Sequence, residues 1–356
     1  QVLFIITAIS VAVSLICLVF QKPLLRLIFG SVEAEVMRAS ETYFFYTALS
    51  FPFIAAYDSA ASIFRAQDNT RGPMLISMIS NVMNIAGNAV MIWGFHMGVA
   101  GAALSTLISR IFCAVVVLIQ LRKDRQVIVV RDYIRIRPNW SMIKRILGIG
   151  IPSGVENSMF QLGKLAIQST VSTLGTAAIA AQAMTNILEN LNGIAAIGVG
   201  VGLMTIVGQC LGAGRQDEAV YYIKKLCVIA EVIIIISCLG VFALTKPITI
   251  LGGMEKESAD MCFHMVMWIT IVKPLVWIMA FIPGYGLRAA GDVKFSMITS
   301  CCTMWACRFC LCVFLIRRLG FGPMGVWIGM FADWTVRSII FTWRFHSRKW
   351  LQHKVI

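Results

Sequence analysis

The sequence predicts an all-α membrane protein, a polytopic helical bundle, and three observations carry that prediction. Hydrophobic residues make up 58% of the chain and charged residues 13%, where soluble domains carry roughly a quarter. Mean hydropathy is +0.81. Apolar runs of about 20 residues, the length a helix needs to cross the hydrocarbon layer, recur from one end of the chain to the other.

Ten such spans are expected, at 2–20, 42–64, 73–94, 98–121, 146–172, 181–210, 221–244, 262–286, 294–316 and 324–344. The first starts directly at Gln1, with no charged leader and no initiating Met, so the expectation is a chain truncated at its front. The loops set the orientation. If the first span runs outward, nineteen Lys and Arg fall in the inside segments, eight of them between 122 and 145, and seven fall outside. That bias predicts a multi-pass protein of the inner (plasma) membrane with a cytoplasmic C-terminus and a cytoplasmic basic linker over 122–145. It also absorbs the formal net charge of +14, so no nucleic-acid partner is expected. The eleven cysteines lie mostly in apolar runs, which speaks against a disulfide framework. Cys307 and Cys310 form a CxxC, but no second ligand pair follows and no metal site is expected.

A repeat crosses the linker. Phe64-Arg65-Ala66-Gln67-Asp68-Asn69-Thr70-Arg71 resembles Leu287-Arg288-Ala289-Ala290-Gly291-Asp292-Val293-Lys294, with Arg65 and Arg288 offset by 223 residues. Gly98-Val99-Ala100-Gly101 faces Gly322-Pro323-Met324-Gly325 at nearly the same offset, and Pro52 faces Pro274. Carried back from Lys144, that offset places the start of the first repeat about 80 residues before Gln1. The expected architecture is therefore twelve helices in two pseudo-symmetric lobes, ten of them in this chain. An N-terminal lobe, 1–121, lacks its first two helices; the linker 122–145 follows; 146–356 forms a C-terminal six-helix lobe. Six helices is an even number, so both lobes insert the same way, related by an axis along the membrane normal.

Polar residues inside apolar spans mark the candidate site, since a charge at mid-bilayer costs at least ~2.5 kcal/mol and needs an interior environment. In the fifth span Asn157, Gln161, Lys164 and Gln168 follow one another at i, i+4, i+7 and i+11, a single helical stripe, with Glu156 beside it. In the sixth, Gln182, Asn186, Glu189 and Gly193 repeat that spacing. Secondary candidates are Asp58, Asn84, Asn88 and Lys273; Asp333 and Arg337 sit at i, i+4 and most simply neutralise each other.

Four stretches make the chain resemble the multidrug and toxic compound extrusion (MATE) family of secondary transporters. They are Arg65 to Pro73; Asn84-Ile85-Ala86-Gly87-Asn88 running into Gly98 to Thr106; Val207-Gly208-Gln209 with Gly212-Ala213-Gly214-Arg215 and Glu218-Ala219; and Arg288 to Asp292. The third is the most specific. Gln67-Asp68 departs from the pattern, standing where the family has a glycine such as Gly291. The resemblance implies antiport of organic, cationic or amphipathic small molecules against H⁺ or Na⁺ by alternating access. No cofactor is expected beyond the coupling ion, and the protein is expected to act as a monomer in the lipid bilayer. It implies a coupling carboxylate in the helix carrying Glu156, without fixing which residue that is, and an acidic residue in an absent first helix.

Two readings of the stripes stay open. In one, Glu156, Asn157, Gln161, Lys164, Gln182, Asn186 and Glu189 surround a wet pocket where a carboxylate exchanges the ion against substrate. In the other, Glu156 pairs with Lys164, Glu189 caps a break near Asn190 to Gly193, and the amides bridge helices. Asp58 is a ligand or a partner for Arg110; Asn84 and Asn88 hydrogen-bond between helices; Lys273, before Pro274, marks a bend. A related alternative is a flippase for lipid-linked saccharides, favoured by a broad Lys/Arg-lined groove, whereas an acidic pocket favours drug export. A membrane-embedded enzyme is poorly supported: GxxxxGK, HExxH and GxSxG are all absent, and His96, His264, His346 and His353 lie at loops or ends.

Overall fold

The structure, a computed structural model, describes residues 1–29, 34–123 and 138–352. Helix α1 covers Val2–Val19, α2 Gln21–Phe29, α3 Ala34–Ala66, α4 Arg71–Ala89 with a π-helical continuation Val90–Gly94, α5 Gly98–Leu121 and α6 Trp140–Val171. Then come α7 Thr176–Gly212, α8 Gln216–Leu251 and α9 Lys256–Ala289. Helix α10, Val293–Thr303, passes through a π-helical segment, Met304–Cys310, into α11 Leu311–Leu319, and α12 covers Met324–His346. Every expected span lies on one of these helices, and no strand occurs among the described residues.

Length and composition alone qualify seven of the helices as membrane spans among the described residues. The expected spans that do not qualify are α3, α6 and α12, which carry Asp58, Glu156 with Lys164, and Asp333 with Arg337. Those charges depress their hydropathy. In α12 they are turned inward, with Asp333 0% and Arg337 3% exposed, as ionisable groups in a bilayer protein must be. The outer faces are the inverse of a soluble protein: Ile235, Ile236 and Leu239 of α8 and Val82 and Ile85 of α4 are exposed, a surface that lipid rather than water solvates.

The chain divides into two compact units, 1–147 and 148–356. In the first, α3 packs along α5 and α1, with Ala60, Phe64, Val117 and Leu121 buried at its centre. In the second, α9 packs against α7, α8 and α12, around a core that includes Leu188, Leu203, Ile234, Ile269, Trp327 and Trp334. Residues 124–137 of the expected linker and 353–356 at the end lie outside the described residues, and with them several of the basic residues that set the expected orientation.

The repeat is visible in the backbone. After α3, the amide of Asp68 donates to the Arg65 carbonyl at 3.1 Å and that of Asn69 to Phe64 at 3.0 Å; after α9, Gly291 donates to Arg288 at 3.0 Å and Asp292 to Leu287 at 3.0 Å. The turn needs positive φ at its centre, which is +61° at Asp68 and +89° at Gly291. Aspartate tolerates that region better than most residues, so the glycine-to-aspartate departure keeps the turn.

Candidate functional site

The second unit lines an open cavity of ≈ 700 Å³, within the range of small-molecule sites. The spacing of the two stripes builds two of its walls. From α6 come Glu156, Asn157, Gln161, Lys164 and Gln168; from α7 come Gln182, Asn186, Glu189, Asn190 and Gly193. Helix α9 adds Trp277, Phe281, Tyr285 and Arg288, the π-helical segment adds Arg308, and α12 adds Trp334 and Arg337. All seven primary candidates therefore meet in one space.

The charges pair differently from the sequence reading. Glu156 is 8% exposed and faces the Arg288 guanidinium at 3.5 Å rather than Lys164. Its Oε1 accepts that bond while Oε2, also buried, has no partner among the described residues. Arg288 lies 132 positions away on the last turn of α9, so only the fold brings the two together. Glu189 caps no break, because α7 runs uninterrupted from Thr176 to Gly212. Its carboxylate accepts from the Lys273 ammonium at 2.7 Å, and its backbone carbonyl accepts from the same group at 3.0 Å. Lys273 is wholly buried beneath the Trp277 ring, at 5.2 Å. It is thus a fixed counter-charge behind the cavity wall, and α9 stays helical through Pro274. Arg337 and Asp333 pair at 2.9 Å, and Arg337 also donates to Thr303 Oγ1 at 3.1 Å.

The amides are only partly engaged. Gln182 accepts from the Trp327 indole at 3.1 Å and donates to Asn186 at 3.3 Å, which orients the head of the α7 stripe. Asn157 donates back to the Ser153 carbonyl of its own helix at 2.9 Å.

Asp58, Asn84 and Asn88 belong to the first unit and take no part in this cavity. Asn84 bonds to Thr106 across α4 and α5 at 3.2 Å and accepts from Asn88 at 3.3 Å. Arg110 donates to Ser50 rather than pairing with Asp58. The sequence reading missed Arg288 and Arg308 as site residues. Arg288 looked like a loop cation; Arg308, inside the apolar run 294–316, was detectable by the rule that an intramembrane charge marks function.

Polar stripes facing a cavity of this size inside an apolar helical bundle are the arrangement a small-molecule transporter needs. The family model described as MatE matches residues 152–314, spanning both stripes, and that described as Lipid II flippase MurJ matches residues 1–134. A probable multidrug resistance protein NorM of Thermotoga maritima is 26% identical over 336 residues, 92% of this chain and 71% of the relative. A solved outward-facing multidrug resistance MATE family transporter of the MOP superfamily superposes with a TM-score of 0.83 at 18% identity, over 98% of this chain and 78% of that one. A MOP superfamily transporter from Pyrococcus furiosus Vc1, for which reverse polarity of the binding pocket is described, superposes with a TM-score of 0.85 at 17% identity, over 97% and 77%. In sequence and in fold the chain is similar to multidrug and toxic compound extrusion transporters.

Proposed function

We propose that the protein is a secondary active antiporter of the plasma membrane that exports organic, cationic or amphipathic compounds in exchange for H⁺ or Na⁺ by alternating access. The observation that carries this reading is Glu156: a buried carboxylate on the cavity wall, held on one oxygen by a 3.5 Å contact to Arg288 and unsatisfied on the other. Such a group binds a proton or Na⁺ when the chamber faces one side and releases it when Arg288 or the arriving substrate competes on the other. Since one carboxylate cannot serve both at once, loading one expels the other, and switching access converts the ion gradient into export. Glu189, held at 2.7 Å by a wholly buried lysine, is the less exchangeable of the two. The basic-residue bias supports a cytoplasmic C-terminus.

A lipid-linked saccharide flippase is the second reading, favoured by the MurJ match over residues 1–134 and by the cationic excess of the cavity lining, Lys164, Arg288, Arg308 and Arg337 against Glu156 and Glu189. The experiment is dye efflux from vesicles under imposed H⁺ or Na⁺ gradients. Glu156→Gln is expected to abolish the gradient-dependent component; efflux unchanged by the substitution removes Glu156 from the mechanism. Collapsing one gradient while holding the other identifies the ion, and efflux that ignores both favours the flippase.

A further inference from the structure

We propose that Lys164 and Arg308 form a subsite for the anionic group of an amphipathic ligand: a carboxylate, phosphate or sulfonate on an apolar body. This deepens the antiporter reading and rests on it only in taking that ligand as cargo. The argument begins with the charges that remain after pairing. Glu156 with Arg288, Glu189 with Lys273 and Asp333 with Arg337 are each matched acid to base. Lys164 and Arg308 line the same cavity and have no carboxylate within 4.0 Å among the described residues; Glu189 acts on both, and Asp333 on Arg308, only from farther off.

The two surplus cations converge on one ring. The Lys164 ammonium lies 5.1 Å from the centroid of Phe160 and the Arg308 guanidinium 5.0 Å from it, so they stand no more than about 10 Å apart. Arg308 is 7% exposed. Its only hydrogen bond among the described residues runs from Nη2 to the Met330 thioether at 3.2 Å, and its buried Nε has no partner. A guanidinium carries five N–H donors and stays charged in proteins, and a thioether is a weak acceptor. The ring face compensates only part of the lost hydration. An anion seated at Arg308 satisfies its idle donors, matches the planar fork of the guanidinium to two oxygens, and lies in the attractive field of Lys164.

The surroundings define the rest of the ligand. Trp277 and Phe281 stack with centroids 4.8 Å apart on the cavity wall, a surface for an apolar or aromatic body. A cation has poorer prospects at this end, since Lys273 already holds Glu189 at 2.7 Å. The local backbone keeps Arg308 aimed inward. It sits on the π-helical segment Met304–Cys310, and α12 approaches so closely that a Cβ on Gly329 would lie 3.0 Å from the Arg308 carbonyl oxygen. Irregular turns of this kind recur where a side chain has a task.

The test is a matched pair of fluorescent probes, 1-pyrenebutyrate and 1-pyrenebutylammonium, titrated against the purified protein in neutral detergent without any ion gradient. The carboxylate is expected to bind about ten-fold tighter than the ammonium, the worth of one or two charge-assisted bonds. Arg308→Met and Lys164→Gln should each erase most of that preference, weakening the carboxylate and relieving the like-charge repulsion of the ammonium, and Arg308→Lys should retain part of it. Lys164 is exposed to the cavity, so its variant reports even if a change at Arg308 harms folding. Equal affinity for the two probes, or wild-type selectivity in Lys164→Gln, overturns the proposal. Repeating the titration in nanodiscs of phosphatidylcholine with and without phosphatidylglycerol separates the sources. Competition by the anionic lipid assigns the subsite to bilayer headgroups, and undiminished selective binding assigns it to soluble organic acids. Absent selectivity with gradient-driven efflux intact removes only this subsite; selective binding with gradient-independent efflux removes only the antiport.

Discussion

Asparagine and glutamine in the membrane helices of this protein meet two different fates. Along α4 and α5, Asn84 reaches Thr106, Ser105 donates to the Asn84 carbonyl at 3.1 Å, and Ser80 donates to the Ser109 carbonyl at 3.0 Å. There the amides and hydroxyls join helices. Along α6, Asn157 returns to its own helix, and Gln161 and Gln168 make no bond to another helix among the described residues while facing the cavity. Residue type is shared; what differs is whether a second helix stands within bonding distance. A polar stripe is glue where the gap is closed and lining where it is open. Charges show the same division inside the second unit, where Arg337 is locked to Asp333 and Arg308 has no carboxylate within ion-pair distance among the described residues.

That last contrast yields the largest expected effect. Arg337→Met leaves Asp333 buried without its counter-charge and should lower stability by about 3 to 5 kcal/mol, read as loss of folded protein in thermal unfolding. Arg308→Met breaks no ion pair and fills apolar space, so the same measurement should show little change or a gain. If the two variants behave alike, the distinction between locked and idle arginines is empty.

Much of this was legible before any coordinates, and the reasons differ by feature. The spans followed from apolar run length. The two stripes followed from 3.6-residue periodicity, which fixes a face without a partner, and all seven primary residues share the cavity. The turns after α3 and α9 could be matched by their 223-residue offset. Ion pairing was not legible. Glu156 meets Arg288 across 132 positions and Lys273 meets Glu189 across 84, and spacing within one helix says nothing about either. Arg308 was visible as an intramembrane charge, but its face was not legible: it lies on a π-helical turn, where the 3.6-residue phase that assigns faces no longer holds.

Smaller effects sharpen the contrast further. Gly329→Val drives a branched side chain toward the Arg308 and Cys307 carbonyl oxygens, 3.0 and 3.4 Å from a Cβ at that position. It should cost about 1 to 3 kcal/mol and weaken pyrenebutyrate binding together with stability. Asn84→Ala, at the α4 and α5 seam, should cost roughly 0.6 to 2 kcal/mol with efflux per folded molecule unchanged. Gln161→Ala should move stability by less than about 0.5 kcal/mol, as unpaired exposed positions do, yet alter substrate preference in efflux. An exchange of these two outcomes would mean that glue and lining have been assigned to the wrong helices.

The claim on which everything else depends is that the facing stripes of α6 and α7 enclose space that water enters. Hydroxyl-radical footprinting of the protein in nanodiscs measures this without substitutions. Phe160 and Tyr285 on the cavity wall should be oxidised and then protected by bound pyrenebutyrate, while Ile235, Ile236 and Leu239 on the outer face of α8 stay unlabelled throughout. Unlabelled Phe160 and Tyr285, or labelling that ignores the ligand, would contradict it.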